Sequence, residues 1–247
     1  MKLLVVNPNI SDSVSELIAA EARRAASPGV AIEVLTAPIG VAYIETRAEA
    51  AVGAYAVLNM LAEHHHGYDA AVVAAFGDPG LQAAREMLPI PVVGLTEAAL
   101  MSAAMLGGRF SIVAISRRIR AWYQETVELH GLGARLASIR CLEEALADIG
   151  TVQTDKGAQL LALCAAAIAH DGADVIIIAG APLAGLARTI ADRIPVPVVD
   201  GVSSAVRHAE TLAALAPRAA SAGSYAPPPQ KDWKGLSPAL ARLIGRN

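Results

Sequence analysis

Short runs rich in valine, isoleucine and leucine alternate along the chain with longer alanine-rich segments whose apolar positions recur at helical spacing. In the first half the short runs fall near Lys2–Val6, Ala31–Thr36, Ala70–Ala75 and Pro91–Gly94. In the second half they fall near Phe110–Ile115, Arg135–Arg140, Asp174–Ala179 and Pro197–Asp200. Strands that are apolar nearly throughout are strands covered on both faces, which is the condition of a parallel sheet between helices. The pattern therefore predicts an α/β fold.

Corresponding strands in the two halves are separated by close to 105 residues, so the chain reads as one unit written twice. Leu88–Ala99 (LPIPVVGLTEAA) lies over Arg193–Ala205 (RIPVPVVDGVSSA) with a shift of 106. The same shift places Ala75 on Ala181. The expected architecture is two Rossmann-like parallel-sheet domains related by a pseudo-twofold axis. The first would comprise residues 1–98 with 207–247, and the second residues 99–206. Ligands of open α/β sheets bind beside the carboxyl ends of the strands, so the cleft between the domains is the expected site.

The turns at those strand ends carry the candidate chemistry. Asn7, Asn9 and Ser11 follow the first strand, where side-chain amides and a helix N-terminus can hold a carboxylate or imide oxygen. The same residues also suit ordinary capping. After the third strand, Phe76, Gly77, Asp78, Pro79 and Gly80 open a helix. Gly180 and Pro182 do so in the second copy, and either turn offers backbone donors for an oxyanion. Ser116 is the second-half counterpart of the asparagines, and Arg117 and Arg118 beside it would either pair an anionic substrate or start a solvated helix. Glu97 and Asp200 are titratable groups close to the cleft, with helix capping as their other reading. Tyr43, Glu45 and Arg47 sit on a loop able to cover it. Asp78, Glu97, Asp200 and Tyr43 are thus the candidate proton carriers, and Asn7, Asn9, Phe76, Gly77, Ser116, Gly180 and Pro182 the candidate substrate contacts.

Composition narrows the field. Hydrophobic residues make up 54% of the 247 and aromatics only 4%, so the core must be aliphatic with closely packed helices. A net charge of −3 without a basic stripe argues against nucleic acid. No apolar run reaches the ~18 residues of a membrane span, and the apolar stretch after Lys2 is short for a signal sequence. A cytoplasmic location is expected. Cys141 and Cys164 read as small buried hydrophobes, the first in a strand running into a helix and the second in a helix. No metal-ligand spacing is present, and His64-His65-His66 at a helix end is a poor chelate. No metal or cofactor is expected. In the tail, Ser237 and Pro238 start a short helix after a Pro/Gly-rich stretch. The tail is expected to lie across the first unit with Trp233 as anchor.

VVNPN at the start, FGDPGL after the third strand, IPVVGLTEAA, VPVVDGV and GSYAPPPQK resemble the hydantoin and allantoin racemases of the aspartate/glutamate racemase superfamily. The resemblance spans nearly the whole chain. It implies two pseudosymmetric α/β domains, an active site between them, a small-molecule substrate bearing a carboxylate or imide, and a homo-oligomer. It also implies a cysteine at the head of each facing turn, one taking a proton from the carbon α to a carbonyl and the other returning it from the opposite face. The matching positions here are Ala75 and Ala181, and the context GAPLAG departs from the family's GCAG. The expected activity is that of an isomerase working without two thiols. A lyase or decarboxylase with a single proton donor, and a binding protein without catalysis, are the alternatives.

Overall fold

The computed structural model describes residues 1–143, 149, 151–229 and 231–244. The helix expected directly after Cys141 falls largely outside them. In the first half β1 (Lys2–Asn7), α1 (Asp12–Ala25), β2 (Ala31–Thr36), α2 (Arg47–His64), β3 (Ala70–Val73), α3 (Leu81–Met87) and β4 (Val92–Gly94) follow one another. After α4 (Leu95–Leu106) the series repeats as β5 (Phe110–Ala114), α5 (Arg120–Leu129), β6 (Leu136–Cys141), α6 (Val152–Asp171), β7 (Val175–Ile178), α7 (Leu186–Ile190) and β8 (Val198–Asp200). It closes with α8 (Gly201–Leu215) and α9 (Pro238–Ile244).

The strands form two all-parallel four-stranded sheets, ordered β2-β1-β3-β4 and β6-β5-β7-β8. The buried central strands β1, β3, β5 and β7 are the apolar runs of the sequence, and their side chains enter helix-covered clusters on both faces. In each sheet the chain order reverses beside the first strand, between β1 and β3 and between β5 and β7. That reversal opens a crevice at the carboxyl ends of these strands.

Two helices join the units. Most of the buried face of α4 (Ala99, Leu100, Ala103) packs into the core of the second sheet, whereas Val202, Ala205, Val206 and Ala209 of α8 pack onto the first. The helices meet where Ser102 Oγ lies 3.1 Å from His208 Nε2. These two residues stand 106 positions apart, so the contact marks the pseudo-twofold axis. A division at 98/99 and 206/207 runs through both helices.

The tail folds back on the first unit, but its anchor differs from the expectation. Trp233 is 43% exposed, whereas Leu240 and Leu243 of α9 are buried against α2. Ser237 caps α9, its hydroxyl accepting from Leu240 N at 3.2 Å. Two leucines four positions apart or fewer share a helix face; an indole preceding the helix has no such support.

Candidate active site

The turns after β3 and β7 are built alike. Ala74 N donates to Val6 O at 2.8 Å and Ala179 N to Val113 O at 2.9 Å. Asp78 N then donates to Ala75 O at 3.1 Å and Leu183 N to Gly180 O at 2.9 Å. Gly80 and Gly185, both at φ 80°, end the turns and start α3 and α7. The offset is 105 at each of these turn residues, so the partner of Ala75 is Gly180 and not Ala181. The shift of 106 applies only beyond α7, where Val92 of β4 corresponds to Val198 of β8. The extra residue lies between Leu186 and Val198.

Each turn packs against the other unit. Phe76 packs against Tyr123 of α5 with ring centroids 4.7 Å apart and the rings tilted by 50°, and the Trp122 ring covers Gly77 so closely that a Cβ there would overlap it. Ala181 and Ala184 pack into the cluster containing Val14, Ile18 and Ala22 of α1. Both turns therefore lie on the seam between the units.

The heads of the turns offer main-chain donors. Gly77 N donates to Thr96 Oγ1 and Gly185 N to Asp200 Oδ2 at 2.7 Å. Among the described residues, the N–H groups of Ala75 and Phe76 in one turn and of Gly180 and Ala181 in the other have no acceptor. Buried or half-buried N–H groups without partners are uncommon; two equivalent pairs of them suit an oxygen carrying developing negative charge. The heads differ in backbone. Gly180 has φ 113°, in the region that favours glycine, whereas Ala75 has no positive φ.

The candidate proton carriers are committed elsewhere. Asp78 accepts from Thr96 N at 2.8 Å and Glu97 N at 2.9 Å, so it caps α4. Asp200 accepts from Gly185 N and from Ser203 N at 2.9 Å, capping α8 and tying down its turn. One carboxylate thus fills the space between turn and helix in each unit, sent from the turn in the first and from the strand end in the second. Gly94, at the first-unit position of Asp200, has no room for a side chain because Asp78 occupies it. Burial pushes the Asp200 carboxyl above its usual range against the pull of its backbone hydrogen bonds. Glu97 is held by both terminal nitrogens of Arg85. Burial raises the Tyr43 phenol far above its usual range, and its buried hydroxyl has no hydrogen-bond partner among the described residues. It remains a neutral group.

Tyr43 packs into the core of the second unit, and Arg47 pairs with Glu125 of α5, so the loop over the seam is fastened across it. Glu49 and Thr46 form a capping box at the start of α2. Asn7 and Asn9 are buried, and they largely bond one another. Asn7 Nδ2 donates to Asn9 Oδ1 at 3.1 Å and to Ser15 Oγ at 2.9 Å, while Asn9 Oδ1 also accepts from Ser11 N at 2.9 Å. Asn9 N donates to Asn7 Oδ1 at 3.2 Å, and the side-chain Nδ2 of Asn9 has no acceptor among the described residues. Ser116 caps the short turn before α5 by accepting from Arg118 N, and Arg117 pairs with Glu143 at 2.6 Å. Pro182 fixes the 3-10 turn that follows Gly180. Of the expected contacts, Phe76, Gly180 and Asn9 keep a donor to spare; Gly77 and Ser116 are structural.

Three groups at the seam have no sequence signal of their own: Trp122, His130 and Glu21. The last is buried in α1 and bonded to Arg24 and Ser203. Cys141 and Cys164 are buried with their thiols pushed up to about 11 by desolvation, which keeps them protonated. Among the described residues there is no cluster suited to a metal ion, and no helix is long and apolar enough to cross a membrane.

A profile of the Asp/Glu/hydantoin racemase family matches residues 3–209. A hydantoin racemase of Paenarthrobacter aurescens is 36% identical over 240 residues, covering 94% of this chain and all of that one. The structure of an allantoin racemase from Klebsiella pneumoniae superposes with a TM-score of 0.92 at 33% identity, over 97% of this chain and 98% of that chain. An allantoin racemase from Pseudomonas fluorescens gives 0.89 at 36% identity, over 95% and 100%.

Proposed function

The chain belongs to the Asp/Glu/hydantoin racemase family, and on that premise we propose that it is a racemase-type isomerase acting on the carbon α to a carbonyl of a hydantoin or ureide. The observation that carries this reading is the matched pair of seam turns, each with two N–H groups lacking an acceptor among the described residues. A substrate carbonyl placed on them gains negative charge as its α C–H bond breaks, and fixed donors stabilise that charge without reorganising. The resulting planar enolate regains a proton on one face or the other, and delivery to the face opposite the one that lost it inverts the centre. Asn9 Nδ2 is the donor we assign to a second substrate oxygen.

Proton transfer needs another source than the side chains at the turn heads, which are a methyl group at Ala75 and a hydrogen at Gly180. Asp78, Asp200 and Glu97 are bound by N–H groups or Arg85, and Tyr43 stays neutral. We assign proton transfer to water held between the turns, with a slow rate as the consequence. A positioned acid or base is worth roughly 10²–10⁴-fold. We further propose that the protein works as a homo-oligomer in the cytoplasm.

The test is α-proton exchange in D₂O with enantiopure 5-substituted hydantoins and allantoin, followed by NMR and polarimetry. Exchange above the buffer rate with matching loss of rotation supports the reading. Saturable binding with no exchange contradicts it.

A further inference from the structure

We propose that the outer edge of the second sheet carries a binding site for an amphipathic carboxylate, a small organic acid with one anionic head and a hydrocarbon tail. This does not depend on which reaction the cleft performs. β6 is the outer strand of its sheet, and beside it lies a cavity of about 680 Å³ whose charged lining is Arg117, Arg120, Arg140, Glu143 and Asp171. Its size is that of a small-molecule site. None of its lining residues belongs to the seam turns.

The turn before α5 sets the place of the head. Arg117–Ile119 form a 3-10 helix, and three residues per turn bring Arg117 and Arg120 to one side. Both line the cavity. Burial raises the thiol of Cys141 on the cavity wall, and the charges of Arg120 and Arg117 pull it back down, so both guanidiniums stand close to that sulfur. The two carboxylates of the lining match only two of the three arginines. Arg140 donates to Asp171 from Nε at 2.6 Å and from Nη2 at 2.9 Å, and Ser138 Oγ donates to the same carboxylate at 2.6 Å. Arg117 pairs with Glu143. Arg120 has neither a hydrogen bond nor an ion pair among the described residues. The cavity therefore holds one positive charge in excess, which a monoanion balances. The Arg117–Glu143 pair is exposed on both sides and contributes little, so a carboxylate on Arg120 meets a second, weakly held guanidinium.

The place of the tail adjoins it. A second cavity of about 260 Å³ shares Cys141, Glu143 and Leu163 with the first, and Leu142, Gln159 and Ala162 complete its walls. Guanidiniums thus stand at one end of a continuous groove, and leucine, alanine and a protonated thiol at the other. An acid without a tail fills only the first cavity, and an alcohol with the tail does not answer the charge of Arg120.

Calorimetry and ¹⁵N-correlated spectra of the full-length protein with octanoate supply the test. Octanoate should bind saturably, with its largest amide shifts at Arg120, Cys141, Ala162 and Leu163. Affinity should rise from butanoate through hexanoate to octanoate by up to about fourfold per methylene. Arg120→Gln should weaken octanoate about tenfold or more, and 1-octanol should bind the parent correspondingly less tightly. Ala162→Asp, which sets a like charge beside the tail, should abolish binding. Both positions are exposed, so circular dichroism should match that of the parent. No saturable binding, equal affinity for 1-octanol, parent-like affinity in either variant, or largest shifts at Ala75, Phe76, Gly180 and Ala181 would overturn the proposal. Should a variant fail to fold, the chain-length series, the comparison with 1-octanol and the shifts in the parent still decide.

Discussion

Placing a thiol at the head of each turn separates the role of position from that of backbone. Ala75 needs only one atom added, and its backbone has no positive φ, so Ala75→Cys puts a sulfur at the seam without strain. The gain expected is that of one positioned acid–base group, on the order of 10²–10⁴ in α-proton exchange. Gly180→Cys has space, since the nearest atom to a new Cβ is Pro182 Cδ at 3.7 Å, but it must hold φ near 113°. That costs about 1–3 kcal/mol, a Tm lowered by about 2–12 °C for a chain of this size. The alternative is that the turn flips and loses its donors. Ala75→Cys alone is therefore expected to exchange quickly from one face with little inversion, and the double variant to gain less than the product of two such groups. NMR in D₂O measures exchange, and polarimetry on the same samples measures inversion. Equal, fully multiplicative gains from the two substitutions would refute the inferred inequivalence of the turns. No gain from Ala75→Cys would show that this position does not face the reacting carbon.

Other outcomes follow from the same contacts. Gly94→Ala would force the Asp78 carboxylate out of its cap on α4, and thermal or urea unfolding should show a loss of about 2 kcal/mol or more. Leu240→Ala should cost about 2–4 kcal/mol, whereas Trp233→Ala stays within about 0.5 kcal/mol, which unfolding of both variants will separate. For Glu21, burial works against ionisation, but hydrogen bonds from Arg24 and Ser203 and the charges of Arg24 and Arg188 hold its carboxyl below the ordinary 4.5. A carboxylate with a depressed folded-state value stabilises the protein above its unfolded-state value and loses that contribution as the pH falls through the folded one. Glu21→Gln should therefore destabilise at pH 7, and the difference from the parent should shrink below about pH 4.5.

Much of this was legible in the chain. Apolar runs mark the central strands because parallel strands must be covered on both faces, and the repeat of those runs marks the duplication. The internal register at the turns was not. The 106-residue shift between β4 and β8 is real, but carrying it back across a helix misplaced the partner of Ala75, because spacing alone cannot locate one added residue. Asp78 and Asp200 look alike in sequence as acid candidates. Only coordinates reveal that each serves the same helix-capping space from opposite sides. The donors that matter most are main-chain N–H groups, and His130, Glu21 and Trp122 meet Glu97, Ser203 and Gly77 across 33, 182 and 45 residues of chain, so no local pattern announces them.

Amide resonances give the most direct test of the cleft. In a ¹⁵N-correlated titration of the isotope-labelled protein with a 5-substituted hydantoin, the N–H signals of Ala75, Phe76, Gly180 and Ala181 should shift together and saturate at one concentration. Saturable binding that leaves those four signals in place while moving others would place the ligand elsewhere and contradict a carbonyl held between the two turns.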